Sequence, residues 1–119
     1  MSSSVFVLGA SRDLHNINVS TNQDRMFIIN IFKENTGFSG DLVILDKSFG
    51  TSTYYVISKL QPNASDIFSL GIDAVLTYLA QYNDVISDIH NSCNTPFINS
   101  QDQNTIIQNK GLNLTVRVN

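Results

Sequence analysis

Few side chains in this sequence could carry chemistry, and they are scattered. There are two histidines, His15 and His90, and one cysteine, Cys93. His90 and Cys93 form H-x-x-C, a spacing that can hold half a zinc site. Only His15 remains as a further nitrogen ligand, and no second cysteine exists. Asp84 and Asp88, read as one helical turn apart, could add oxygens, but zinc would need them to converge with His90 from a different angular position. A helix-ending His, a half-buried Cys and a solvated acidic face explain the same residues. Cys93 with His15 or His90 is also the minimum for a thiolate nucleophile, yet no signature surrounds it, and a free Cys is usually a small apolar residue. Paired carboxylates for glycoside hydrolysis could be drawn from Asp41, Asp46, Asp84 and Asp88, but any chain with ten acids offers pairs. Tyr54, Tyr55 and Phe38 could stack on a ligand, though such aromatics more often anchor a core or an interface. No catalytic, cofactor-binding or metal residue is therefore assigned, and an enzyme is not expected.

Val5 to Arg12 reads VFVLGASR. An apolar strand running into Gly9-Ala10-Ser11-Arg12 resembles the opening of short-chain dehydrogenases, where glycines let the backbone approach a pyrophosphate. The second and third glycines are absent; Asp13, Leu14 and His15 stand there instead. Asn16 to Ser20 alternates like a strand where that family has a helix, so no nucleotide site is expected.

These residues must be positioned by a sheet and a helix. Ser65 to His90 is the longest periodic stretch. Phe68, Ile72, Val75, Leu79, Tyr82, Ile86 and Ile89 recur in steps of four and three, one stripe of an α-helix. Tyr78, Leu76 and Val85 widen it into a face that packs on a core. Asn63 or Ser65 caps the start, Asp66 favours the positive end of the helix dipole, and His90 with Asn91-Ser92 closes the far end. A helix of that length would run about 39 Å and overhang a small sheet. Gly71 inside it costs about 1 kcal/mol against Ala and suggests close packing on a sheet.

Strands are expected at Val5–Leu8, Ile17–Val19, Met26–Lys33, Leu42–Leu45 and Thr53–Leu60, the last three as an antiparallel meander. Asn30, the one amide in the central strand, reads as a satisfied buried hydrogen bond. Asn91 to Asn104 reads as a loop anchored by Phe97 and Ile98, Ile106-Ile107 as a short strand or anchor, and Leu112 to Val118 as a strand with one wet face. The middle strands are apolar on both faces, and one helix covers only one. The second face needs either the terminal strands folded across it or a neighbouring subunit. The expected fold is a single α+β domain over residues 1–119, a mainly antiparallel β-sandwich or barrel-like sheet with one long α-helix, about 65–90, packed on it.

The chain has 119 residues and a net charge of −3. Charged residues make up 14 % of it and hydrophobic residues 42 %. Asn, Ser, Thr and Gln fill the gap at about a third of the chain, where charged residues usually hold a quarter. Such an exterior gives up charge repulsion as protection against association, although an AT-rich genome would also enrich Asn. The seven Lys and Arg form no stripe, so nucleic-acid binding through a basic face is not expected. No segment approaches the about 20 apolar residues that span a bilayer. The N-terminus lacks the charged start of a signal peptide, so synthesis in the cytoplasm is expected.

The expected function is a non-enzymatic structural subunit of a larger assembly. A virion component fits best: a capsid decoration or cement protein, or a tail-tube, connector or adaptor subunit. Its partners would be copies of itself or other structural proteins. Phage tail-tube subunits are similar in placing a helix beside a β-barrel. The alternatives are a small ligand- or protein-binding module, and a small metal-dependent or cysteine enzyme using His90, Cys93 and Asp88.

Overall fold

The computed structural model describes residues 14–35, 37–46, 51–60, 64–92 and 98–119, with side chains for all of these except 14 and 51–60. Among the described residues, six strands and two helices follow one another: β1 Leu14–Thr21, β2 Arg25–Glu34, β3 Gly37–Asp46, β4 Thr51–Leu60, α1 Ala64–Tyr82, β5 Ile86–Asn91, α2 Ser100–Asn109 and β6 Val116–Val118. The strands form one mixed sheet in the order β4-β3-β2-β1-β5-β6. All neighbours are antiparallel except β5 and β6. The class is α+β, as the sequence suggests, and β2, β3 and β4 form the expected meander.

The sheet is single and open, not a sandwich or barrel. Ile17–Val19 lies in β1 and Val116–Val118 is β6, both beside the meander rather than across it. The reason is the β1–β2 connection, Asn22-Gln23-Asp24. Stacked sheets lie about 10 Å apart, and so short a turn holds its two strands side by side in the same sheet. The proposed strand Val5–Leu8 falls outside the described residues.

One face of this sheet carries Ile17, Val19, Phe27, Ile29, Ile31, Leu42, Ile44 and Ile89, all buried. They join one core with Ile67, Phe68, Ile72, Val75 and Leu79 of α1, and with Ile98, Ile107 and Val116 around α2. Lys110, just past α2, reaches Asp73 of α1 at 2.6 Å and ties the helices together. On the opposite face, Ile28, Phe32 and Val43 are also buried, at 4 %, 3 % and 0 % exposure. The double-sided apolar character of β2 and β3 thus corresponds to burial on both sides. Both described helices pack on the first face.

Gly71 is where α1 touches the sheet most closely. A Cβ there would lie 2.9 Å from Ile29 Cγ2 and 3.0 Å from its Cδ1. Ile29 is fully buried, so it has little room to yield. Gly71→Ala should gain about 1 kcal/mol of helix propensity and lose about 1–3 to overpacking. The expected net result is a loss of about 1 kcal/mol in urea unfolding. In an Ile29→Ala background, which removes the opposing atoms, the same change should become neutral or stabilising. Equal effects in both backgrounds would refute the contact.

The single long helix predicted for 65–90 is two elements. α1 has 19 residues, about 28 Å, and ends at Tyr82. Asn83 takes a left-handed φ of 61°, and the Asp84 N–H donates to the Leu79 carbonyl at 3.1 Å. That six-to-one bond is the Schellman ending, with Asn in the place glycine most often holds. Ile86 and Ile89 continue the helical spacing but belong to β5. Three-residue spacing on one face of a strand requires an irregularity, and β5 has one. Thr21 faces Ile86 while Ser20 faces Asp88, which leaves Ser87 as an extra residue. Ser87 Oγ donates to the Ser20 carbonyl at 3.1 Å. A β-bulge therefore imitated a helix.

Candidate functional site

The β1–β2 turn meets the end of α1 at a corner between helix and sheet, where Arg25, Asp46 and Asp84 converge. β2 begins with Arg25, whose partner across the β2–β3 ladder is Asp46. The left-handed Asn83 turns the chain so that Asp84 faces the same spot. Arg25 Nη1 donates to Asp84 Oδ1 at 2.7 Å, and Arg25 Nε donates to Asp46 Oδ2 at 3.2 Å. Thr21 Oγ1 donates to Asp84 Oδ2 at 3.0 Å. The guanidinium carbon sits 4.1 Å above the centre of the Tyr82 ring, a cation–π contact. Tyr82 stacks on Tyr78, which in turn touches Phe27. One main-chain and one side-chain bond close the corner: the Asn22 N–H donates to the Val85 carbonyl, and the Val85 N–H donates to Asn22 Oδ1, both at 2.9 Å.

The Asp84 side chain is wholly buried, and that of Arg25 is 15 % exposed. The Asp84 hydrogen bond, with the charges of Asp84 and Asp46 behind it, raises the Arg25 guanidinium above its ordinary value against the cost of burial. Two carboxylates are thus brought together, as a glycosidase-like pair would require. A guanidinium between them binds both, which suits them to holding the corner shut rather than to passing protons.

A second group lies on the face of β5 and β6 turned away from the helices. Arg117 binds Asp88 through two bonds, Nε to Oδ1 at 2.9 Å and Nη2 to Oδ2 at 2.6 Å. The Arg117 hydrogen bond holds the Asp88 carboxyl below its ordinary value. His90 Nε2 lies 2.7 Å from Asn119 Oδ1, and Asn119 Nδ2 donates to the Ser92 carbonyl at 2.7 Å. Asn18 of β1 is opposite His90 in the ladder. These contacts fasten β6, which has only three residues, to β5.

Of the residues weighed for chemistry, Asp46 and Asp84 meet at Arg25, Asp88 and His90 share one face of β5, and the other described ones lie apart. Asp84 follows a helix and Asp88 lies in a strand, so they are not a turn apart on one helix face. His90 is a strand residue and not a helix terminus. His15 is in β1 on the helix-facing side with 1 % exposure, far along the strand from Ser20, which is opposite Asp88. Asp41 is buried on the far face of β3, opposite Asn30. Asn30 Oδ1 accepts from Asn16 Nδ2, the satisfied amide that its place in a central strand suggests. Phe38 is half-buried and packs on the core. Cys93, the segment Val5 to Arg12, and the side chains of Tyr54 and Tyr55 lie outside the described residues. Among the described residues, no three of His, Cys, Asp and Glu gather as metal ligands would. No helix among them is long and apolar enough to cross a membrane.

Helix α2 went unforeseen, and its polar residues matter most to the architecture. Gln103 is fully buried, donating from Nε2 to the Ile98 carbonyl at 3.0 Å and accepting from buried Asn91 at 3.5 Å. Asn104 Oδ1 accepts from the Val116 N–H at 2.6 Å, and Gln108 Nε2 donates to the Leu114 carbonyl at 3.1 Å. One signal was present: Asn99 and Asp102 form an N-cap pair, the Asn99 Oδ1 accepting from the Asp102 N–H at 2.8 Å.

No family model, no curated protein and no solved structure matches this chain.

Proposed function

We propose that this protein is a non-enzymatic structural subunit of a larger protein assembly, and that the assembly is a virion. The observation that carries the reading is β4. It is a ten-residue strand at the end of the sheet, paired among the described residues only with β3. An outer strand presents a row of backbone donors and acceptors, and proteins that stay apart usually blunt it with charge, proline or brevity. β4 reads TSTYYVISKL, with one charge, Lys59, and no proline. The outer face of α2 adds Gln101, Thr105, Gln108 and Asn109, exposed and uncharged. Amides and hydroxyls of that kind suit a surface that meets other protein across bridging water.

The open sheet removes the likeness to tail-tube subunits, which rested on a barrel. A decoration, connector or adaptor role does not depend on one.

Light scattering on size-exclusion fractions over a hundredfold concentration range tests the proposal. The expected result is a mass that rises to a fixed multiple of 13.2 kDa. Ser52→Lys, which adds a second charge to β4, should weaken association by tenfold or more. A protein that remains monomeric throughout, and that does not travel with any particle in its native source, would overturn the reading.

A further inference from the structure

We draw no further inference here: the strongest candidate, the outer edge of β4 as a pairing site for a strand of a second copy, belongs to the assembly reading already proposed, and nothing among the described residues shows what covers it.

Discussion

Lowering the pH from 7 to 4 should cost this fold about 3 kcal/mol through one side chain, His15. The imidazole is 1 % exposed, and burial lowers its pKa from 6.5 to about 4. Removal from water penalises the charged form. Between those two values the unfolded chain binds a proton that the folded chain does not. Stability is therefore complete above pH 6.5 and drains away as pH falls toward 4. A shift of this size is worth about 3 kcal/mol, since each pKa unit is about 1.4 kcal/mol. Carboxylates also begin to protonate near pH 4, so the loss must be separated by substitution. His15→Leu keeps the volume and cannot titrate. Urea unfolding at pH 7 and pH 4 should show the native chain losing about 3 kcal/mol more than the variant does. Parallel losses in the two proteins would mean that His15 is not the acid-sensitive group.

The second large effect is expected at Asp84. Its two oxygens hold Arg25 and Thr21 from a wholly buried position. Asp84→Ala takes a carboxylate from a partly buried guanidinium, while the Thr21 hydroxyl keeps the Gln23 and Arg25 carbonyls as acceptors. Losing hydrogen bonds to a charged group costs about 1.5–3 kcal/mol, and breaking a buried pair from one side about 3–5. Arg25 keeps Asp46 and some contact with solvent, which places the expected loss at the lower end, about 3 kcal/mol. In urea the midpoint should fall with little change in slope. Thr21→Val should matter less in the Asp84→Ala background than alone, because one of its partners is already gone while the Gln23 and Arg25 contacts remain. A loss below about 1 kcal/mol would show that the corner is held by the Asn22–Val85 bonds and the Tyr82 contact instead.

The legible part of the fold is the part governed by local rules. Apolar runs bounded by turn residues located β2, the Leu42–Leu45 part of β3 and β4, and a glycine on a helix face signalled the Ile29 contact. What stayed hidden depended on partners distant in sequence. Ile86 and Ile89 carry helical spacing because Ser87 is accommodated against β1, and nothing near them in the sequence reveals β1. The Asn83-Asp84 pair was the available hint of a break. Helix α2 was missed because Gln103 occupies a core position that periodicity assigns to an apolar residue; only its hydrogen bonds to Ile98 and Asn91 make that burial tolerable. At the corner, Asp46 and Asp84 were both visible as acids. That a single arginine would gather them follows from β2 starting where α1 stops.

The strand order also sets a timetable. β1 through β4 pair with their immediate successors, so four strands can zip as the chain emerges. The free flank of β1 must wait, because Val19 meets Ile89 only after the helix has carried the backbone back over the meander. Closing so wide a loop is slow compared with forming hairpins. Until it closes, β1 and β4 each have a flank without a partner among the described strands, where the finished molecule has covered the first. The interval before β5 arrives is when stray molecules are most apt to stick to one another, and a lower growth temperature or a slower translation rate should raise the yield of usable protein.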